Sequence, residues 1–541
     1  MVLRSNPVPM PEKKITFKTA SNGSIYAYYT LRAYRNSAGN PTSDEVAIGK
    51  KDPITGMLIP NRRYFELFDS SPDPAESKPP DVKRDLVLPT RVASYGNAYS
   101  LMELAESTGL RSILERCFPE KWRQMLITSF YMLCEGNVMM YINDWFDETD
   151  VPLPGRIDDH QCSRLFASIS YDERMHFFKE WVKLRSETEY IVYDVTSVST
   201  YSKGLDSAEW GYNRDNDQLP QVNLGMFYGS ESCLPIYYDM YSGSIVDKSQ
   251  LICMMTVAEQ LGISNARFVL DRGFVTEENL NYMDKNGYLF ATAFPGHLVD
   301  AKKIIDSCKD NIRKSANRIS EFDVYALPVD IDIYGFQMKA HVYFDTNKQA
   351  TDEKELYARI ERLQADLEGI GKKKRVTKKY TDFFVVEQEK AEQFSFTRDN
   401  DKIDERLSRT GFFILMSNDP NMNSQDVLRI YRRRGVIEEN FDQLKNDLDF
   451  RRLRTHINKT TDGKVFVGFI ALIIRSYLLN MVKNATETKQ FTIKKILMEL
   501  RKIKSITFED SHRMVMPLTK LQRVILECIG IPHQKLLNSL G

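Results

Sequence analysis

The chain has 541 residues, which at about 150 residues per domain is roughly three to four domains' worth of polypeptide, enough to bury a large core. Hydrophobic residues at 42% and charged residues at 27% match soluble globular proteins and exclude disorder, a collagen-like repeat or a coiled-coil rod as the main architecture. Lys+Arg and Asp+Glu balance at 74 each, so global charge argues for neither nucleic acid nor membrane, and local charge must decide.

The opening MVLRSNPVPMPEKK has Pro and charge where a secretory peptide needs an apolar run. Residues 12–68 read as short strands (ITFKTA, SIYAYYTLRAYR, EVAIG, RRYFELF) between Gly, Asn and Pro turns, and residues 1–70 are assigned to a small β module. Residues 71–89 are rich in Pro, Ser and Asp and read as a linker. Over 90–185 apolar residues recur at steps of three and four, which predicts a helical domain. Strand-like runs follow in 186–299: YIVYDVTSVSTY, QVNLGMFYG, LPIYYDMYSG, ARFVLDRG and GYLFATAF, with a helical stretch before ARFVLDRG. This alternation predicts an α/β unit with one mixed sheet flanked by helices. Residues 300–405 interrupt it as a β-rich insertion containing the basic run Gly371-KKKRVTKKY.

The sheet pattern resumes over 406–485 with GFFILMSND and a long helix from about Ser424 to Leu448. VFVGFIALIIRSYLLNMV (465–482) nearly reaches membrane-spanning length, but Arg475 in its middle favours a buried core helix in a soluble protein. Residues 486–541 read as a basic helical region. Within 481–525 ten Lys/Arg face four acidic residues, which suits a DNA-facing helix pair and equally a solvated surface. Seven Cys without a C-x-x-C, and seven His without H-E-x-x-H spacing, suggest neither a disulfide framework nor a zinc hydrolase and fit a reducing cytoplasm. No G-x4-G-K-[ST] run builds in an ATPase.

Two carboxylates stand out. Asp194 lies inside the apolar strand IVYDVTS and Asp271 ends FVLD; a charge there costs desolvation unless it is paired or binds a metal. A strand-end Asp capping a turn accounts for either one alone, whereas the two together can hold Mg²⁺ or Mn²⁺, which prefer oxygen ligands. In YRRRGVIEENFDQLKND, Tyr431, Arg434, Glu438 and Lys445 fall within a fan of roughly 60° at ~100° per residue of continuous helix. An ordinary amphipathic helix with solvated charges explains that spacing as well.

Together, D194-x-T-S, D271-R-G-F and Y-x2-R-x3-E-x6-K at Tyr431, Arg434, Glu438 and Lys445 resemble the DDE transposases of bacterial insertion sequences, in the subgroup with that last signature. The segment RRLRTHINKTTDGKVFVGFIALII is also similar, and the likeness runs from about residue 90 to 485. It implies an RNase H-like catalytic core in which Asp194, Asp271 and Glu438 bind two divalent metal ions, Mg²⁺ or Mn²⁺, for in-line phosphoryl transfer on DNA. By the same likeness Tyr431, Arg434 and Lys445 contact DNA phosphates, and the protein acts as a dimer when two transposon ends are paired. Relatives that form a DNA hairpin stack a flipped base on an aromatic ring. All four Trp (Trp122, Trp145, Trp181, Trp210) lie outside 300–405, where Tyr334, Phe336 and Tyr343 offer rings instead. W210-GYNRDNDQLPQVNLGM also resembles a family segment, with Arg214 as a phosphate contact.

The expected function is therefore a transposase that binds inverted-repeat ends, cuts DNA and joins it to a target, working in the cytoplasm at the nucleoid and on no membrane. The β module and the helical domain are its expected end-binding parts. The rivals are an RNase H-like nuclease without strand transfer and a non-catalytic, transposase-derived DNA-binding protein. The carboxylate triplet argues against the second, since three acids without metal repel a phosphate backbone.

Overall fold

The computed structural model describes residues 7–12, 14–20, 23–53, 55–68, 88–185, 190–263, 267–295, 300–369, 377–389 and 393–540. Residues 71–87 of the expected linker and 371–376 of the basic run lie outside them. The chain divides into two compact units, Met1–Leu86 and Val87–Gly541.

In the first unit β1 (Ile15–Thr19), β2 (Ile25–Arg35), β3 (Pro41–Lys51) and β4 (Leu58–Pro60) pair antiparallel in chain order. Tyr29, Tyr64 and Phe68 pack on buried Ala27, Ile48 and Leu58. RRYFELF, expected as a strand, is instead helix α1 (Arg62–Phe68). The Asn61 side chain accepts from the Tyr64 N–H at 3.2 Å and Arg62 pairs with Glu66 one turn on at 3.0 Å, so local capping overrides the β-preference of the aromatics.

The second unit starts with β5 (Pro89–Ser94) and the helices α2 (Gly96–Ser107), α3 (Leu110–Cys117), α4 (Trp122–Glu135), α5 (Ile142–Glu148), α6 (Asp159–Ser168) and α7 (Tyr171–Arg185). Then come β6 (Tyr190–Ser199), β7 (Gln221–Gly229), β8 (Pro235–Ser242), α8 (Asp247–Gln260), β9 (Arg267–Leu270), α9 (Glu277–Lys285), β10 (Leu289–Ala293) and α10 (Asp300–Cys308). After these run β11 (Arg318–Ile319), β12 (Val324–Ile333), β13 (Phe336–Phe344), α11 (Thr346–Gly369), α12 (Lys378–Thr381), β14 (Phe384–Glu389), β15 (Gln393–Arg398), α13 (Asn400–Leu407) and β16 (Phe412–Ser417). The chain closes with α14 (Ser424–Arg432), α15 (Gly435–Asn446), α16 (Asn458–Asn484), α17 (Ile493–Arg501), β17 (Lys504–Phe508), β18 (Arg513–Val515), α18 (Lys520–Cys528) and α19 (His533–Leu537).

The fold is α/β around one large mixed sheet of order β11-β12-β13-β16-β10-β9-β6-β7-β8 among the described residues. β7 pairs antiparallel with both β6 and β8, while β6, β9 and β10 run parallel. The 300–405 segment lies in the chain between the neighbouring strands β10 and β16, and its β11, β12 and β13 extend this sheet on the β16 side. β13 is buried along most of its length and pairs antiparallel with β16, where Tyr343 stacks on Phe413 at 4.8 Å. The rest of the segment has its own small core around Ile360, Leu367, Phe383 and Phe384.

Residues 486–541 are not wholly helical, because β17 and β18 join β5 in a three-stranded antiparallel sheet. Helix α16 has the length and apolarity of a membrane span, yet 78% of its most apolar window is buried inside the protein. It packs against α2, α4, α6 and β8. Its interior Arg475 donates through its two terminal nitrogens to the Gln443 amide oxygen and the Asp447 carboxylate, while its buried Nε has no partner among the described residues. Where α16 crosses α6, a Cβ added at Gly463 would lie 2.0 Å from the Phe166 carbonyl oxygen. Gly463→Ala must push the two helices apart and should lower stability by about 1–3 kcal/mol or more, read as a lower midpoint in urea unfolding. An unchanged midpoint would contradict this packing.

Candidate active site

β6 is buried on both faces, and Asp194 interrupts its run of apolar residues. Parallel pairing sets Ile191 against Phe268 and Val192 against Val269. Continuing that register by two residues brings Asp194 level with Asp271, which directly follows β9. Level positions on neighbouring parallel strands face the same side, so the two expected carboxylates share one end of one sheet face. Asp194 accepts from the Val195 N–H at 2.8 Å, and Asp271 from the Arg272 N–H at 2.7 Å.

The expected single helix over Ser424–Leu448 is broken. α14 ends at Arg432 and α15 begins at Gly435. The Arg433 and Arg434 N–H groups donate to the carbonyls of Ile430 and Tyr431, three residues back, at 3.1 and 3.0 Å. Glycine next to this tightened turn weakens helix propagation. Tyr431 therefore sits on a different helix from Glu438 and Lys445, and the continuous 60° fan does not exist.

The break nevertheless turns Arg434 towards the acids. Its guanidinium lies 3.0 Å from Asp271 Oδ1 and also pairs with Glu438, in the first turn of α15, which packs over β6. It lies 5.8 Å from the Tyr431 ring, which is half-buried beside it. Arg434 thus gathers Tyr431, Asp271 and Glu438 at one point, and its charge also acts on Asp194.

Asp194 is the most enclosed of the three acids, its side chain 14% exposed against 41% for Asp271 and 56% for Glu438. Burial pushes its carboxyl up to about 6 and Asp271 adds repulsion, while Arg214, the Val195 N–H and Arg434 act in the opposite sense. Among the described residues no three His, Cys, Asp or Glu side chains are close enough to form a ready metal cage. The three side chains are all carboxylates, oxygen donors of the kind Mg²⁺ and Mn²⁺ prefer, and Arg434 is the cation that joins two of them.

Lys445 is 9% exposed and bonded to Asp215 at 2.6 Å, so its charge is already neutralised. Asp215 belongs to the segment between β6 and β7, which supplies partners the spacing of motifs did not reveal. Arg214 lies 3.0 Å from Asp247 and 3.9 Å from Asp194. Asp217 holds Arg452 at 2.7 Å. The signal available beforehand was the alternation of charge in Asn213-Arg214-Asp215-Asn216-Asp217 after the strand that carries Asp194. Of the aromatics expected to stack on a base, Tyr343 is fully buried and donates to the Ser424 carbonyl at 2.7 Å, so it is core; Tyr334 remains 47% exposed.

No curated protein matches the sequence. Among solved structures the chain is similar to a piggyBac transposase synaptic complex with hairpin DNA, with a TM-score of 0.31 and 9% identity over 61% of this chain and 54% of that one. It thus spans about half the length of that protein. It is also similar to a Drosophila P element transposase strand transfer complex, with a TM-score of 0.13 and 11% identity over 68% of this chain and 94% of that one. Both likenesses are too distant to carry an argument. The family described as "Transposase DDE domain" matches residues 185–474, a span that takes in Asp194, Asp271 and Glu438. Because that match covers more than half of the chain, the protein belongs to the transposase DDE domain family.

Proposed function

We propose that the protein is the transposase of an insertion sequence, which binds the inverted-repeat ends of its element, cuts them and joins the 3′-hydroxyl ends to target DNA. The observation that carries this reading is the gathering of Asp271 and Glu438 on one guanidinium, with Asp194 level with Asp271 on the adjacent strand. The order β8-β7-β6-β9-β10, antiparallel then parallel, supports an RNase H-like core.

In this reading Asp194, Asp271 and Glu438 hold two divalent ions. Such ions, when bound, stabilise the charge of an in-line phosphoryl displacement. Arg434, released from its carboxylates, and Tyr431 then face the phosphates. Arg suits this because its planar fork grips two phosphate oxygens. Lys445 joins them only by exchanging Asp215 for a phosphate. Cutting of paired ends calls for at least a dimer on DNA, and the β module and helices α2–α7 serve end binding. The protein would work at the nucleoid, in the cytoplasm.

The test is to mix purified protein with labelled element ends, a target plasmid and Mg²⁺ or Mn²⁺, scoring cutting and joining separately. Joined product supports the transposase. Cutting without joining overturns it in favour of a nuclease, and end binding with neither overturns it in favour of a non-catalytic DNA-binding protein.

A further inference from the structure

Each acid of the carboxylate site has a guanidinium beside it. Arg434 pairs with Asp271 and Glu438, both members of the site. Arg214 stands next to the third, its Nη2 3.9 Å from Asp194 Oδ1, but the same nitrogen donates to an acid outside the triplet, Asp247 Oδ2, at 3.0 Å. The nearer carboxylate takes the hydrogen bond, and the farther one feels only the charge. Asp247 opens α8 and belongs to none of the three motifs that mark the site.

This arrangement is held from both sides. Tyr241, buried on β8, donates its hydroxyl to Asp247 Oδ1 at 2.7 Å, which leaves Oδ2 for the guanidinium. On the other side the Arg214 N–H donates to Ser197 Oγ at 3.2 Å, and the Asn213 side-chain amide donates to Ser199 Oγ at 3.1 Å. The Asn213 side-chain oxygen in turn accepts from the Asp217 N–H at 3.1 Å. These bonds tie the Arg214 backbone to the strand that carries Asp194, so the side chain alone is left to swing. Arg214, Asp247 and Asp271 line one cleft of about 280 Å³, so the ion pair adjoins the open space beside the carboxylates.

A guanidinium close to Asp194 competes with a divalent ion for that carboxylate, and the two positive charges repel each other at short range. We infer that Asp247 is a positioning residue that holds Arg214 back from Asp194 and so leaves that carboxylate free for a metal ion. The inference rests on the metal-dependent reading of the carboxylate site. An acid in the first turn of α8 also complements the helix dipole, but that role is indifferent to Arg214. A double-mutant cycle separates the two roles.

The experiment follows Mn²⁺ binding to the full-length, DNA-free protein by loss of the free-ion EPR signal, with Asp194→Asn defining the site. Asp247→Asn should weaken the Asp194-dependent binding about tenfold, while Asp247→Glu, which keeps a partner for the guanidinium, should stay within about threefold of wild type. Arg214→Gln should bind at least as tightly as wild type, and adding Asp247→Asn to it should weaken binding by about twofold or less. Equal binding by wild type and Asp247→Asn would overturn the inference and leave the metal site standing. So would an equal loss in both backgrounds, because Asp247 would then act through its own charge. If wild type shows no Asp194-dependent Mn²⁺ binding, the metal reading fails and the inference falls with it.

Discussion

Asp194→Asn is expected to lower metal-dependent end cleavage by about a thousandfold or more, the scale lost when one member of a group acting as a unit is removed. It should at the same time stabilise the metal-free protein. Burial raises the Asp194 carboxyl from 3.8 to about 6 in the folded state. A raised carboxyl penalises the ionised form, so the penalty is absent below about pH 4, grows as pH rises and is complete above about pH 6. The shift amounts to roughly 3 kcal/mol at neutral pH as an upper bound. Asn keeps the shape and the acceptor for the Val195 N–H. The variant should therefore melt above wild type at pH 7 in EDTA and match it near pH 4. A melting point at or below wild type at pH 7, or cleavage that survives, would contradict the role given to Asp194.

The second large effect is expected at Arg434. Its guanidinium neutralises Asp271 and Glu438, and its own side chain is only 17% exposed. Arg434→Ala leaves two partly exposed acids beside Asp194 without a counter-charge. Solvent screening limits the loss of stability without metal to about 1–2 kcal/mol. Addition of Mg²⁺ or Mn²⁺ should then raise the melting point more in the variant than in wild type, because the ion no longer competes with a built-in cation. End cleavage should still fall about a hundredfold through loss of the phosphate contact. A variant whose melting point responds to metal as wild type does would show that Arg434 and the ions do not share the carboxylates.

The parts of this site that were readable in the sequence are those where one residue violates its own surroundings. Asp194 is a charge inside a run of buried apolar residues, and Asp271 closes another such run, so both announced a special environment. Glu438 violates nothing around it, being a surface-type residue on an amphipathic helix; the helical spacing placed it in a polar stripe that a solvated face explains as well, and the family signature gave it a role. The break between α14 and α15 was hidden because helix propensity is a weak prior and one Gly435 does not by itself end a helix. The pairing of Lys445 with Asp215 spans 230 residues, and no local pattern reports a contact of that range.

Strand assignment failed in a related way. RRYFELF has the aromatic content of a strand, and its Asn61 cap outweighed it. The strands of residues 300–405 were legible as strands, but which sheet they join is set by β13 meeting β16 across about seventy residues of intervening chain.

The most direct measurement is the joining of pre-cut element ends, carrying free 3′-hydroxyls, to a supercoiled plasmid by wild type and by Asp194→Asn, Asp271→Asn and Glu438→Gln. Supplying cut ends isolates the transfer step from end cleavage. Joining that requires Mg²⁺ or Mn²⁺ and is lost in all three variants is the predicted result. Joining that proceeds in EDTA, or that survives any one of the three substitutions undiminished, would contradict a shared carboxylate centre.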